Sequence, residues 1–421
     1  MSGTKLSQLD NGVRIVTRSA ENFESAAMGY WVEAGGVCED ESNCGISHFE
    51  EHMAFKGTIS RSAKQITEEI ESAGGFLNAY TSKETTAFHA KVLKEDLKSA
   101  VDILSDILQN PTFPEDELER EREVILQEIL QSRDTPDDII FDHFQNVAFA
   151  GQSLGRPILG SPETVSRIKA SDLRSYRSQY YNADNIIFAA VGDINHDELS
   201  DLLAEHLSSL KICTTDAHEK KYDYRGGVYS DIRDLEQTHL IIGFEGLSCR
   251  HEDYHTMGVL ASILGGGMSS RLFQEVREKR GLAYSICSFS SSYKQNGLFG
   301  VYAATSVEKL TELANTISGE FVKICENISE KELERTKAML KSSLLMAQES
   351  NSASCERIVN QALLFKRIIE NEEILQKINS ITVKDVIELA KKTLASGTSV
   401  VTVGKGDASP ILSALQSHGI S

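Results

Sequence analysis

A repeated pattern is the feature of this 421-residue sequence that most limits its fold. One apolar run predicts a buried strand that ends at Gly192, a second such run ends at Gly404, and a helix follows each. The helices that precede these strands begin near Asp172 and Asp385. The glycines are 212 residues apart and the aspartates 213, and this shared offset predicts a duplicated unit of about 210 residues. Coincidence between two ordinary helix–strand–helix stretches is the alternative.

The order of the predicted elements in the first half sets the fold class. Two short strands flank Asn11-Gly12, a pair that favours the positive φ of a tight hairpin turn. Several neighbouring strands come first and runs of helix follow, which indicates an α+β fold rather than a doubly wound parallel sheet. We therefore predict two homologous α/β-sandwich domains of about 210 residues each, 1–213 and 225–421, joined by a polar linker at 214–224.

Charge and composition exclude several classes of partner. The 62 Asp and Glu residues outnumber the 43 Lys and Arg residues, and the net charge of −19 repels nucleic-acid phosphates. No window approaches 18 consecutive apolar residues, so we predict no membrane span, and we see no targeting segment at the N-terminus. The seven cysteines are scattered and form no C-x-x-C pair, which is typical of a reduced compartment. We expect a bacterial cytoplasm, with a mitochondrial matrix as the alternative.

The first candidate metal site is an H-x-x-E-H motif formed by His48, Glu51 and His52. Because the histidines are at positions i and i+4, both imidazoles project from one face of the predicted helix. Two neutral imidazoles suit Zn²⁺, and the neighbouring carboxylate of Glu51 can take a proton from a zinc-bound water. This is the inverted zincin order. A surface helix with two solvated histidines is the alternative.

A second motif competes with the first. His251, Glu252 and His255 form H-E-x-x-H, the direct zincin order, and Glu275 could serve as a third ligand. The competing interpretation is an ordinary helix N-terminus, where acidic residues are expected because of the helix dipole. We favour that interpretation.

A third ligand for the first motif should come from an acid held inside the fold. In the predicted helix 115–133, both Glu121 and Glu128 lie between apolar neighbours when the positions are placed 100° apart. A carboxylate turned toward a core needs a cation or a hydrogen-bond partner, and a zinc ion would satisfy that need. A slight rotation of the helix that exposes both acids to water is the alternative.

Three segments together resemble the pitrilysin/insulysin family of inverted-zincin metallopeptidases. They are HFEEHMAFKGT at 48–58, LNAYTS at 77–82 and EREREVILQE at 119–128. The resemblance extends over essentially the whole chain and is strongest toward the β subunit of mitochondrial processing peptidase and its short bacterial relatives. It implies Zn²⁺ bound by the two motif histidines and Glu128, with Glu121 supporting the site without ligating directly.

The same resemblance implies two sets of substrate contacts. The segment 76–82 resembles the family's substrate-pairing edge strand, which assigns Asn78, Ala79 and Tyr80 to peptide binding. An extended peptide can add to such an edge through backbone hydrogen bonds. An Arg and a Tyr seven residues apart reach the substrate in the family, and they correspond here to Arg277 and Tyr284. A guanidinium and a phenol are suitable donors to a developing oxyanion.

An acidic cluster follows the third segment. A charge run is usually a solvated face. In processing peptidases, two acids beyond the glutamate ligand receive a substrate arginine, and their spacing falls here on Asp138 and Asp142. The family's first acid is typically Glu, so Asp138 has a side chain that is shorter by one methylene group.

The resemblance and the residues together favour a zinc-dependent endopeptidase in which Glu51 is the general base. Larger family members carry four such domains in one chain, so a two-domain chain implies a homodimer or a homologous partner chain. The intact motif argues against the alternative, a non-catalytic structural relative like the core subunits of respiratory complexes.

Overall fold

Two twisted sheets organise the chain in the computed structural model, which describes residues 3–21, 23–212 and 220–420. The first sheet has six strands in the order β1-β2-β6-β3-β5-β4, and the second has five in the order β7-β11-β8-β10-β9. The strands of the first are β1 Gly3–Gln8, β2 Arg14–Ser19, β3 Ser25–Val32, β4 Phe76–Thr81, β5 Thr86–Leu93 and β6 Ile186–Gly192. Those of the second are β7 Gly227–Ile232, β8 Thr238–Gly246, β9 Ile286–Ser292, β10 Gly297–Thr305 and β11 Thr398–Gly404.

The two sheets repeat one topology, which confirms the predicted duplication. β2 pairs parallel to β6, and β7 pairs parallel to β11. The next three neighbours in each sheet are antiparallel, β6-β3-β5-β4 in the first and β11-β8-β10-β9 in the second. Strands β2 to β6 therefore correspond to β7 to β11 in the same chain order. The extra strand β1 forms the predicted N-terminal hairpin with β2.

The predicted glycines occupy equivalent positions in the two copies. Gly192 has φ 159°, and a Cβ there would lie 2.9 Å from the backbone of Ala26 in β3. Gly404 has φ 135°, and a Cβ there would lie 2.8 Å from the backbone of Thr238 in β8. A side chain at either position would collide with the neighbouring strand, so both copies require glycine.

Helices cover the sheets, and the α+β fold class is confirmed. The helices are α1 Ile46–Ala54, α2 Ala63–Ser72, α3 Leu97–Gln109, α4 Glu115–Asp134, α5 Pro136–Ala148, α6 Pro162–Val165, α7 Ala170–Tyr180, α8 His196–His206, α9 Tyr254–Gly265, α10 Leu310–Glu326, α11 Glu330–Met346, α12 Asn351–Phe365, α13 Asn371–Ser380, α14 Val383–Leu394 and α15 Ser409–Ser417. A π-helical turn spans Phe273–Lys279. None of the described helices is both long and apolar enough to cross a bilayer.

The chain divides into two compact units that exchange one helical segment each. The described residues within Met1–Leu130, Pro157–His218 and Leu345–Glu370 form the first unit. Those within Gln131–Arg156, Glu219–Leu344 and Asn371–Ser421 form the second. These units depart from the linear domains 1–213 and 225–421. Residues 214–219 of the predicted linker lie outside the described residues.

The exchanged segments are α5 and α12, and each covers the outer face of a sheet. In the first unit, Ile358, Val359 and Ala362 of α12 pack into a buried cluster with Trp31 and Ile187 of the sheet. In the second unit, α5 packs on β7, β8 and β11. Each sheet thus receives its outer layer from the other half of the sequence, because apolar faces on both sides of a sheet must be buried.

Candidate metal centre and substrate edge

Helix α1 is fixed at its start and along its buried face. The backbone N–H groups of Gly45 and Ser47 donate to the Glu39 carboxylate at 2.8 and 2.9 Å, which satisfies donors at the helix N-terminus. Glu50 is fully buried and accepts from Arg177 and Tyr181 of the α7 region. With that face anchored to the core, the opposite face presents the H-x-x-E-H side chains.

The structure brings His48, His52 and Glu128 together. Oε2 of Glu128, on α4, lies 3.8 Å from Nε2 of His48 and 3.6 Å from Nε2 of His52. Among the described residues, these three form the one group of metal-ligating side chains whose ligand atoms all lie within 4.8 Å of one another. Ligands about 2.0–2.1 Å from a tetrahedral zinc are about 3.4 Å apart, close to the observed spacing.

Two features of the group fit a divalent cation. Oε2 of Glu128 is a buried atom without a hydrogen-bond partner in the described structure, although it faces two imidazoles. Burial lowers the pKa of His48 to about 3, so this imidazole is neutral and its lone pair is available. This buried carboxylate oxygen faces the neutral imidazole of His48 and would find a positive partner in a zinc ion.

Glu121 is placed behind the group rather than inside it. Its Oε2 lies 3.0 Å from Nδ1 of His52, and its Oε1 pairs with Nζ of Lys56 at 2.5 Å. An Nδ1–H that donates to Glu121 leaves the Nε2 lone pair directed toward Glu128. Glu121 therefore contacts the group through His52, and its supporting role remains a prediction.

Glu51 lies beside the group and has a fixed orientation. The Thr81 hydroxyl donates to Oε2 of Glu51 at 2.6 Å. Burial raises the pKa of the Glu51 carboxyl, and the Thr81 hydrogen bond opposes that shift. A carboxyl with a raised pKa, held next to two histidines, has the properties of a proton acceptor.

The predicted substrate strand lies at an edge of the first sheet. In the described part of the chain, β4 has the single strand neighbour β5. A cleft of about 450 Å³ connects this edge with the metal group, and Glu51, His52, Asn78 and Ala79 all line it. Tyr80 belongs to the same strand, but its side chain bonds to Trp31 and Glu356 on the opposite face, so only its backbone is available to a peptide.

Arg277 and Tyr284 belong to the second unit and contact each other. The Arg277 guanidinium lies 4.2 Å from the centre of the Tyr284 ring and 4.7 Å from that of Phe273, a cation–π arrangement. Tyr284 is 74% exposed, so its hydroxyl is accessible to a ligand. The π-helical turn that carries Arg277 was not predicted.

Asp138 and Asp142 also belong to the second unit. Helix α4 ends at Asp134, and both acids lie one turn apart on the separate helix α5. Asp138 is exposed and accepts a hydrogen bond from Ser132 at 3.2 Å. The two acids therefore share a helical face, as the spacing predicted, but they do not continue the helix of Glu128.

The second zincin motif is not assembled into a site within the described residues. Helix α9 begins at Tyr254, so His251 and Glu252 precede it and do not share a helical face with His255. His251 instead accepts from the backbone of Asp253 at 3.0 Å. Glu275, the suggested third ligand, bonds to basic side chains of its own segment. The helix-start interpretation accounts for this motif.

Sequence reasoning missed three residues around the site. Lys56 follows His52 by one helical turn, and Thr81 shares the strand face of Ala79, so both spacings contained a usable signal. Glu356 is 276 residues from Tyr80, and the sequence provides no signal for that contact.

Comparisons with known proteins agree with this geometry. Residues 14–162 match the family described as insulinase (peptidase family M16), and residues 167–340 match the peptidase M16 inactive domain. His48, Glu51, His52 and Glu128 all lie within the insulinase match and outside the inactive-domain match.

Relatives and solved structures cover nearly the whole chain. An uncharacterized zinc protease of Rickettsia felis is 40% identical, over 96% of this chain and 98% of its own. The β subunit of the mitochondrial-processing peptidase of Neurospora crassa is 35% identical, over 93% of this chain and 85% of its own. A peptidase M16 inactive domain from Pseudomonas fluorescens has the same fold, with a TM-score of 0.90 at 20% identity over 96% of this chain and 99% of that one. On these matches, the chain belongs to peptidase family M16, the insulinase family.

Proposed function

We propose that this protein is a zinc-dependent endopeptidase that hydrolyses extended peptides. The observation that carries the proposal is the juxtaposition of His48, His52 and Glu128 with Glu51, all next to an open sheet edge. Bound Zn²⁺ supplies Lewis-acid polarisation of the scissile carbonyl and a lowered pKa for a bound water. The names of the relatives, zinc protease and processing peptidase, support a peptidase function.

The protein's own side chains then have distinct tasks. His48, His52 and Glu128 hold the metal. Glu51 accepts the proton of the attacking water at its carboxylate, and Thr81 keeps that carboxylate in place through its hydrogen bond. Glu121 fixes the tautomer of His52, which maintains a lone pair toward the metal.

The substrate is assigned to the edge of β4. An extended peptide adds to the strand through the backbone of Asn78, Ala79 and Tyr80, which is how peptides commonly pair with exposed sheet edges. From the family resemblance, we assign Arg277 and Tyr284 as donors to the substrate and to the charge that develops on its carbonyl oxygen.

We further propose a preference for arginine near the cleaved bond. Two carboxylates one turn apart, Asp138 and Asp142, repel each other unless a cation lies between them. A guanidinium can bridge both with several donors. The net charge of −19 also favours association with basic peptides.

Partners and location complete the proposal. A two-domain chain of this family is expected to act as a homodimer or with a homologous partner chain, in a bacterial cytoplasm. The intact motif argues against the non-catalytic alternative, because His48, His52 and Glu128 lie together and Glu51 lines the cleft beside them. No nucleic acid or membrane partner is proposed.

Digestion of synthetic peptides by the purified full chain tests the proposal. We expect internal cleavage of extended peptides by mass spectrometry, loss of cleavage after chelation, and recovery on addition of Zn²⁺ in stoichiometric amounts. Elemental analysis should give about one zinc per chain. Peptides left intact by the zinc-loaded chain, across basic and neutral sequences, would support the non-catalytic alternative.

A further inference from the structure

On the outer face of β4, Tyr80 bonds to residues of two other elements. Side chains alternate along the strand, so Thr81 faces the cleft while Tyr80 faces the other side of the sheet. The Tyr80 hydroxyl donates to Glu356 of α12 at 2.5 Å and accepts from Nε1 of Trp31 at 3.0 Å. Asn360 donates to the same Glu356 oxygen at 3.3 Å. One hydroxyl therefore links the edge strand, the central strand β3 and the exchanged helix.

The second unit has a different pair at the equivalent place. A row of registered residues crosses three strands in each sheet: Trp31, Ala87 and Tyr80 in the first, and Gly243, Gly300 and Phe289 in the second. Phe289 therefore takes the position of Tyr80, and it packs against Phe141 of α5 with ring centroids 5.2 Å apart. The sequence ELER occurs in both α4 (117–120) and α11 (332–335). When these two runs are aligned, Phe141 corresponds to Glu356.

The contrast between the pairs indicates a role beyond packing. In the second unit, the Phe141–Phe289 pair joins α5 to β9, the elements equivalent to α12 and β4, by ring packing. The half-buried Glu356 carboxylate instead accepts hydrogen bonds from Tyr80 and Asn360. A charge-assisted hydrogen bond is short and directional, so it fixes the strand more closely than ring packing does.

We propose that Glu356 is a positioning residue that acts through Tyr80. The Tyr80–Glu356 pair fixes the end of β4, so that the strand edge is ready to pair with an extended peptide. This inference rests on the proposed function, because it treats β4 as the substrate's partner strand. Glu356 itself lies on the far face of the sheet and does not touch the peptide, so the effect of its loss increases with the length of substrate that pairs with β4.

Hydrogen exchange tests the Tyr80–Glu356 pair without any need for activity. In the full chain, we expect residues 76–81 to exchange roughly 5- to 10-fold faster in Glu356→Ala and in Tyr80→Phe, because strand opening becomes easier. Glu356→Gln keeps an acceptor but removes the charge, so its exchange should lie between that of Glu356→Ala and that of the unmodified protein. Tyr224→Phe is the matched control, since it removes a tyrosine hydroxyl that lies 2.8 Å from Ser399 in the second unit. Unchanged exchange at 76–81 in Glu356→Ala would overturn the proposal.

Peptide length separates positioning from general damage. For a peptide of about ten residues, Glu356→Ala should raise KM roughly 3- to 10-fold with little change in kcat. A peptide of about four residues, too short to pair along β4, should show less than a twofold change. Equal losses on both peptides would overturn the positioning role. Absence of cleavage by the unmodified protein would instead reject the proposed function, and the exchange test would still decide whether the pair fixes the strand.

The most stringent test replaces the Tyr80–Glu356 pair by the aromatic pair of the second unit. The double variant Tyr80→Phe, Glu356→Phe imports the aromatic pair of the second unit. We expect its melting temperature to stay above that of Glu356→Ala, while KM for the long peptide remains raised. If KM returned to the unmodified value, packing alone would suffice and the proposed role of the hydrogen bond would be wrong.

Discussion

The two units repeat one order of strands and helices, yet the first α-helix after β3 and its equivalent after β8 differ: in the first unit it carries the H-x-x-E-H side chains, and in the second unit it carries apolar side chains. Helix α1 of the first unit contains His48, Glu51 and His52, whereas the equivalent α9 packs Met257, Leu260 and Leu264 into its core. The repeated ELER run aligns α4 with α11, and the positions of Glu121 and Glu128 are then taken by Thr336 and Ser343. The repeated fold therefore does not require the candidate metal ligands.

The first unit retains polar groups that its counterpart lacks. Glu50 and Glu121 are buried acids that need specific partners, Arg177 for one and Lys56 for the other. Buried charges are tolerated only when they are paired. In the second unit Thr336 takes the position of Glu121, so the repeated fold does not require that acid.

Packing between sheet and outer helix also differs in a complementary way. In the first unit the sheet supplies the large residue, Trp31, which packs beneath α12. In the second unit the registered position is Gly243, and Phe144 of α5 fills the space, because a Cβ on that glycine would lie 2.3 Å from the ring. Core volume is conserved while its source changes, which close-packed interiors require.

The largest expected effect tests which unit is catalytic. Glu51→Gln should keep zinc and fold but lower kcat roughly 10²- to 10⁴-fold, the usual range for a general base. Glu252→Gln, in the competing motif, is the matched control and should leave peptide hydrolysis near that of the unmodified protein. Steady-state kinetics with zinc analysis measures both. The reverse outcome would assign catalysis to the second unit.

Loss of a ligand should affect metal content directly. His48→Ala or Glu128→Ala should lower the zinc found by elemental analysis and abolish hydrolysis, whereas Ser343→Ala, at the equivalent position of α11, should change neither. Glu121→Ala should reduce activity roughly 10- to 100-fold while most zinc is retained, since it acts through His52. Full zinc retention in Glu128→Ala would remove this residue from the ligand set.

The contribution of the second unit is expected to be catalytic but not metal-binding. Arg277→Ala and Tyr284→Phe should each reduce turnover by roughly 10²-fold, the order seen when one donor to a developing oxyanion is removed. Zinc content should stay at the unmodified level. Kinetics and elemental analysis on the same preparations check this. A normal kcat in both variants would show that these two side chains of the second unit do not contribute to turnover.

The smallest effect concerns the acids of α5. The double change Asp138→Asn, Asp142→Asn should reduce kcat/KM for arginine-containing peptides roughly 10- to 100-fold, on the scale of charge-assisted contacts. Peptides without arginine should be nearly unaffected. Equal loss on both peptide classes, or none on either, would contradict an arginine pocket and identify the two acids as a solvated face.

Local patterns predicted most of the elements and the centre of the site. The duplication could be predicted because Gly192 and Gly404 meet the same steric demand in their two sheets. Helix α1 could be predicted because two histidines at i and i+4 lie on one face only when the segment is helical. The exchange of α5 and α12 was not predictable, since each helix has an ordinary amphipathic sequence and its partner sheet is chosen by tertiary packing. For the same reason, the Tyr80–Glu356 contact has no local signature.

The exchange of helices also determines when the first sheet can be covered during synthesis. A ribosome completes strands β1 to β6 by residue 192, but α12, which covers their outer face, is not finished until Phe365. At about 5–20 residues per second, the nascent sheet waits on the order of ten seconds with Val16, Trp31 and Ile187 uncovered. A chain truncated before α12 would therefore lack the helix that covers this apolar face of the first sheet.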